Sequence, residues 1–532
     1  MKRAEIIETI RSGQTSLGIE FGSTRIKSVL IDAKASVLAT GSFTWENRNE
    51  DGLWIYYLED AIYGLQQSYA DLAKYVQEEY GVELVRIGAI GISGMMHGFL
   101  VLDKQGNQLA PFLTWRNTNT EKAAEELTQL FDFNIPLRWS IAQLYQAILE
   151  KKKFVEKIDY MTTLAGYIHW LLSGERVLGV GDASGMFPID SSVCNYDSCK
   201  LQAFEQLVSG RKYPWQISGI LPKVLAAGDN AGMLTEEGAK LLDVSGRLHA
   251  GILMAPPEGD AATGMTATNS VAVRTGNISA GTSIFSMVVL EKPLSRLYGK
   301  IDMVTTPNGR PVAMVHCNNG TSELDAWYRI FKEFAEAVGI EVTPELIYQA
   351  MFEKSLEGSP DCKKVFCYNF LAGEPMVDLM EGCPLLVRTQ DSEFSFANFM
   401  RSQIYSVVAS LAIGMRILDE EQVKIERLTG HGGLFKTSRA GQKFMAAAMK
   451  APVTVMSTAG EGGPYGMALL ASYMQNRSSE ESLEQFLAET VFSECESNTI
   501  NPDAQDIEGF TRYIEQYKKG LLLEETAVKC MK

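Results

Sequence analysis

The stretch LGIEFGSTRIKSVLID (17–32) decides the fold. Its apolar runs, LGIEF (17–21) and IKSVLID (26–32), read as two strands, and Gly22-Ser23-Thr24-Arg25 reads as the tight polar turn between them. VLATGSFTW (37–45) predicts a third strand. Leu58, Ile62, Leu65, Tyr69, Leu72 and Val76 then recur at steps of three and four, which predicts a helix. VRIGAIGIS (85–93) predicts a further strand that empties into Gly94-Met95-Met96-His97-Gly98.

The second half of the chain repeats this order. RTGNISAG (274–281) and IFSMVVLE (284–291) read as strands about the turn Gly281-Thr282-Ser283. Ile404, Val408, Leu411, Met415 and Leu418 mark one face of a long helix, and VKIERLTG (423–430) leads as a strand into His431-Gly432-Gly433. Helix 439–449, strand PVTVMS (452–457) and helix 464–474 close the unit. Two α/β units with Gly-Ser-Thr and Gly-Thr-Ser turns at equivalent places suggest facing halves around a cleft, a favoured place for ligands. Pro256-Pro257 breaks local structure, so the boundary is expected within 256–270. The division that follows is 1–262, 263–475 and a Glu- and Lys-rich helical tail over 476–532.

Composition narrows the class. A chain of 532 residues with 46% apolar and 21% charged residues is expected to be globular and to hold at least two domains. A formal charge of −16 argues against a nucleic-acid partner, which needs clustered Lys and Arg. The opening residues MKRAEIIETIRSGQ lack an apolar core, and no stretch approaches the ~18 apolar residues of a membrane span, so a cytoplasmic protein without a membrane partner is expected. Eight dispersed cysteines, with only Cys362 and Cys367 close together, read as reduced structural thiols and complete no zinc site.

Small-residue turns expose successive N–H groups and hydroxyls, which suits phosphate oxygens, although most such turns only reverse the chain. GxxxxGK[ST] and the protein-kinase signatures are both absent, so a nucleotide would be held by another route. Asp260, in PPEGDAATGM, reads in two compatible ways. It is an N-cap for a helix beginning at Ala261, or a carboxylate that takes a proton from a hydroxyl nucleophile. His97 is either a satisfied half-buried histidine or a partner for substrate hydroxyls, with Met96 as an apolar wall. Gly432 and Gly433 permit close approach of a flat base or form a plain turn. Trp115 and Trp327 read as core residues.

Together these segments resemble the FGGY family of carbohydrate kinases, and within it the xylulokinase and ketopentose branch. GIEFGSTRIKSVLID (18–32), GISGMMHGFLVLD (91–103), GDASGMFPID (181–190), LPKVLAAGDNAGMLTEEGA (221–239), PEGDAATG (257–264), SAGTSIF (279–285), NNGTSELDAW (318–327), NFLAGEP (369–375), GHGGLFKTSRAGQKFMAAAM (430–449) and EGGPYGMALLA (461–471) carry the resemblance, in family order. The resemblance implies an α/β fold of two actin-like, ribonuclease-H-like domains facing across a nucleotide cleft, with ATP and Mg²⁺ as cofactors. By position, Asp260 would be the general base. Ser23 and Thr24 would meet the γ-phosphate, Gly281 and Thr282 the other side of the triphosphate, and Gly320 would lie near the phosphates. Gly433 and Thr437 would hold the adenosine, and Met96, His97 and Asp260 would touch the sugar. Glu20 stands where the family usually has an Asp, so Glu20 and Asp260 would organise the metal. The implied partners are a small sugar and ATP, and a homodimer is left open.

Three segments depart from the family pattern: Met95 replaces a glutamine, Arg116-Asn117-Thr118-Asn119 follows Trp115 where Asn-Asp-Gly-Arg is usual, and Pro256-Pro257-Glu258 replaces a glycine-rich approach. All three are expected to border the sugar, so L-ribulose, another ketopentose, a hexulose or a deoxy sugar competes with D-xylulose. An actin- or Hsp70-like ATPase without a sugar substrate shares both turns but does not need the Met96-His97 segment beside Asp260. A silent sugar sensor is the third reading.

Overall fold

The computed structural model describes residues 2–436, 439–457 and 462–531. The chain divides into two compact units, 1–271 with 302–312 and 461–494, and 272–301 with 313–460 and 495–532.

In the first unit β1 (Thr15–Phe21), β2 (Arg25–Asp32) and β3 (Val37–Thr44) form an antiparallel meander. β4 (Ala89–Gly94) lies parallel to β1, and the short strands β5 (Leu253–Met254) and β6 (Glu258–Gly259) lie parallel to β4. The six-stranded sheet runs β5-β4-β1-β2-β3, with β6 also on β4. Leu17, Ile19, Ile90 and Ile92 are fully buried, because this sheet is covered on both faces. Helix Leu58–Tyr80 packs on β2 and β3, and helix Gly462–Asn476 packs on β1 and β4. That second packing requires Gly18, since a Cβ there would lie 2.0 Å from the carbonyl oxygen of Pro464.

The second unit is built the same way. β7 (Thr275–Ala280) and β8 (Ile284–Val289) form a hairpin, and β9 (Pro311–Cys317) follows on β8. β10 (Arg427–His431) pairs parallel with β7, β11 (Val453–Met456) parallel with β10, and β12 (Ser497–Ile500) antiparallel with β11. The order β9-β8-β7-β10-β11 reproduces third-second-first-fourth-fifth, as in the first unit. Helix Phe396–Glu420 buries most of its length, including Arg401, which pairs with Asp506 at 5% exposure.

The predicted helices and strands recur with small shifts of their ends. The strand predicted over 85–93 begins only at Ala89, where pairing with Ser16 starts. The division differs from the one drawn at 262 and 475. The first unit extends to Val271 and also takes helix Gly462–Asn476, whose small residues Gly463, Gly466 and Ala468 fit it against β1 and helix Asp260–Ala267. Residues 476–532 are no separate tail. β12 joins the second sheet, and helix Ala504–Met531 buries Phe510, Tyr513 and Tyr517 in the second unit. All eight cysteines are free, and among the described residues no helix is long and apolar enough to cross a membrane.

Candidate active site

In the first unit the turn Gly22-Ser23-Thr24 closes the β1–β2 hairpin, with Ser23 half-buried and Thr24 exposed. Glu20 is the penultimate residue of β1, beside Ser93 of β4. β4 ends at Gly94 and delivers Met95, Met96 and His97, all buried. β6 ends at Gly259, and the helix starts at Asp260 itself, one residue earlier than expected. Asp260 Oδ1 accepts from the backbone N–H of Ala261 at 2.9 Å and of Met96 at 3.3 Å. The carboxylate thus makes a cap-like bond at a helix N-terminus, which favours its ionised form. Asp260 remains open to solvent, yet the protein crowded around it raises its carboxyl above the ordinary 3.8, against the lowering pull of those N–H groups and of Arg138.

His97 adopts φ +66°, the left-handed region that a histidine occupies only where its surroundings enforce it. Its ring lies 6.0 Å from that of Trp139 at 15° between planes, and its Nδ1 is 3.2 Å from the carbonyl oxygen of Gly185. Gly185 admits the ring, because a Cβ there would stand 2.7 Å from Nδ1. A carbonyl oxygen only accepts, so Nδ1 carries the proton of that hydrogen bond.

Three further carboxyls belong to this half. Burial, then the charge of Asp260, pushes Glu20 up to about 7 despite Lys27. Asp182 accepts from the hydroxyl of Thr163 at 2.6 Å, its other oxygen has no hydrogen-bond partner, and burial followed by the charge of Asp260 raises it to about 7. Glu258 is buried, accepts from the N–H groups of Gly181 at 3.2 Å and Asp182 at 2.8 Å, and is pushed up to about 8 by burial and by Asp182. Perturbed acids of this kind gather at functional sites.

The second unit brings together another group. The carbonyl of Gly281 accepts from the N–H of Thr321 at 2.8 Å, and that of Thr282 from the N–H of Gly320 at 2.8 Å. Gly320 is required there, since a Cβ would lie 2.2 Å from Gly281 O. Gly432, at φ +98°, rests against Ala280, and Gly433 opens the short turn Gly433–Phe435. A Cβ on Gly281 would meet nothing within 4 Å, so the turn has room on its outer side. Thr437 lies outside the described residues.

Glu258 and Asp182 were visible in the sequence only as a departure and as part of a resembling segment. Nothing in their neighbours signals depth, which arises when Val180–Ala183 packs on β6.

Two family models match the chain, the N-terminal domain of the FGGY family of carbohydrate kinases over residues 15–248 and its C-terminal domain over 276–475. The chain belongs to the FGGY family of carbohydrate kinases. As an FGGY kinase it has the actin-like two-domain fold and phosphorylates a sugar with ATP. A xylulose kinase of Haemophilus influenzae is 21% identical over 517 residues, covering 94% of this chain and 98% of that protein. Among solved structures, a ligand-bound xylulose kinase from Lactobacillus acidophilus has a TM-score of 0.77 at 15% identity, over 94% of this chain and 96% of that one. A gluconate kinase from the same organism has a TM-score of 0.76, also at 15% identity, over 95% and 97%. Two kinases named for different substrates superpose equally well, so the backbone shows the fold and leaves the sugar to the side chains.

Proposed function

We propose that this chain passes the γ-phosphate of ATP to the terminal hydroxyl of a ketopentose such as xylulose, with Asp260 as general base. The observation that carries this reading is the hydrogen bond from the N–H of Met96 to Asp260 Oδ1, which joins the Met96-His97 segment to the base. His97 and Met96 would hold and wall the sugar, and Asp260 would orient its hydroxyl and take its proton as transfer proceeds. A carboxyl raised by crowding is a stronger base than an ordinary one, while its solvent-open side leaves it reachable.

Phosphate charge would be met at two turns whose carbonyls are already engaged, Ser23 and Thr24 in the first unit and Gly281, Thr282 and Gly320 in the second. Such turns present N–H groups and hydroxyls to anions without reorganisation. A Cβ on Gly433 would meet only the carbonyl oxygen of Ala280, at 4.0 Å, which leaves room for an adenosine.

Mg²⁺ fits as a hydrated ion. Among the described residues no group of three or more His, Cys, Asp or Glu side chains is gathered to cage a metal, so ATP phosphates would supply most ligands. Glu20 and Asp260 would hold its water shell. Burial together with the charge of Asp260 keeps Glu20 partly protonated near neutral pH, and a nearby cation would favour both carboxylates. Bound there, the ion spreads the negative charge of the transferring phosphate.

A coupled ADP-release screen across D-xylulose, L-xylulose, D-ribulose, L-ribulose, L-fuculose, L-rhamnulose and glycerol tests the reading. Preferential turnover of one ketopentose is the expected result. A flat response to all of them, or preference for glycerol, would sink it.

A further inference from the structure

The two turns are braced by different means. In the second unit, backbone N–H groups of Gly320 and Thr321 hold the carbonyls of Thr282 and Gly281, and the Thr321 hydroxyl adds a bond to Gly281 O at 3.0 Å. In the first unit, two aromatic side chains do most of that work. The indole N–H of Trp45 donates to Gly22 O at 2.7 Å, and the hydroxyl of Tyr56 donates to Ser23 O at 2.6 Å. The two rings stack at 4.1 Å and 24°, with 5% and 3% exposure, and the backbone N–H of Trp45 also donates to Thr24 O at 3.2 Å. The indole of Trp115 reaches the Ser23 hydroxyl at 3.4 Å.

A second layer stands behind this pair. Arg116 Nη1 donates to Asn47 Oδ1 at 3.3 Å, and the Arg116 guanidinium lies 3.6 Å over the ring of Trp54. Asn117 fastens Trp54 from both sides, accepting from its N–H at 2.9 Å and donating to its carbonyl at 2.7 Å. Arg116 and Asn117, of the segment 116–119 expected from the sequence to border the sugar, are therefore tied to Asn47 and Trp54, and Trp115, expected in the core, instead reaches the turn itself.

We propose that Tyr56 and Trp45 are positioning residues for the γ-phosphate, and that Arg116, anchored on Asn47 and Trp54, acts on the same turn by holding its neighbour Trp115 against Ser23. The proposal rests on reading Ser23 and Thr24 as γ-phosphate ligands. A carbonyl dipole turned toward a phosphate oxygen repels it, so holding the Gly22 and Ser23 carbonyls inward leaves their neighbouring donors aimed outward before ATP arrives. Burial pushes the Tyr56 phenol up to about 12, so its hydroxyl keeps the proton it donates. Without that hydroxyl the Ser23 carbonyl loses a buried partner, and the peptide plane is free to rotate toward the phosphate.

The test is calorimetric binding of Mg·ATP and Mg·ADP to the full chain without sugar, beside the KM of the best sugar. Tyr56→Phe, which keeps the ring, is expected to weaken ATP about tenfold and to leave ADP within about twofold, because ADP lacks the phosphate this turn serves. The sugar KM is expected to stay unchanged. Trp45→Phe and Arg116→Gln should move the same ATP-to-ADP ratio in the same direction, the latter by less, and they keep the test intact if Tyr56→Phe folds poorly. Equal weakening of both nucleotides would overturn the proposal by showing a general structural defect. So would an unchanged ratio, or an Arg116→Gln effect confined to sugar KM. A wild-type chain that binds neither nucleotide would instead sink the kinase reading, and this proposal with it.

Discussion

The backbone N–H of Met96 donates to Oδ1 of Asp260 at 3.3 Å, across 164 residues of sequence. β4 and β6 pair in parallel up to Gly94 and Gly259, and each delivers its functional segment just beyond that pairing. The proposed wall of the sugar site and the proposed base are therefore carried by neighbouring strand ends. A distortion of either strand displaces both.

Asp260→Asn keeps the shape of the side chain and its acceptor oxygen but cannot take a proton. The variant is expected to fold normally and to retain ATP binding. Phosphotransfer should fall by about 10²- to 10⁴-fold. Steady-state ADP release and an equilibrium nucleotide titration on the same preparation check this, and near wild-type turnover would remove Asp260 as base.

The base works ionised, so kcat/KM for sugar should rise with pH along an acid limb. That limb is expected to lie above the ordinary 3.8 of an aspartate, since crowding of protein around Asp260 raises its carboxyl. A pH–rate profile with saturating Mg·ATP reads it directly, and activity already at its plateau near pH 4 would contradict it.

Glu20→Gln removes a charge from the side chain proposed to hold the Mg²⁺ water shell. Half-maximal activity should then need several-fold more Mg²⁺, with sugar KM little changed. Gly463→Ala should act in the same sense by displacement, because its Cβ would fall 1.8 Å from Glu20 Oε1. Mg²⁺ titrations of both variants that match wild type would show that Glu20 has no part in holding the ion.

Glu258 makes stability depend on pH in a defined direction. Its folded-state acidity, about 8, lies above the ordinary 4.5, so the native state holds a proton that the unfolded chain releases. That contribution is complete below about pH 4.5 and is lost as pH rises through about 8. Glu258→Gln keeps one of the two acceptor oxygens that Gly181 and Asp182 use and cannot ionise, so its Tm should be lower at acid pH but flatter than wild type between pH 5 and 8. Parallel Tm curves for the two proteins would show that Glu258 is not the group responsible.

His97→Ala removes the acceptor proposed to face a sugar hydroxyl and keeps a Cβ at the same left-handed backbone position. The expected result is a sugar KM about tenfold higher with kcat less affected, as for loss of one hydrogen bond in binding. A fall in kcat at unchanged KM would place His97 in the chemical step instead.

Much of the fold was legible because strand and helix periods record which face of a segment is buried. Alternation at Leu17–Phe21, spacing at Leu58–Val76 and small residues at Gly22–Thr24 and Gly281–Ser283 each carry their meaning locally. The tail was misread because Tyr513 and Tyr517 sit in a segment rich in Glu and Lys, and only the packing of helix Ala504–Met531 shows them buried. Helix Gly462–Asn476 was likewise assigned by chain order, whereas the glycine-lined contact with β1 decides its place.

The sequence by itself determined the repeated α/β order, the family and the positions of Asp260, His97 and the two turns. Tertiary structure alone decided that Asp260 is tied to Met96, that Asp182 and Glu258 are buried acids, and that Trp115 and Arg116 meet Ser23 and Asn47 beside the Gly22–Thr24 turn. The physical reason is one of range. Local patterns fix backbone conformation over a few residues, but acidity, hydrogen-bond partners and close glycine contacts depend on groups that meet only when distant segments pack.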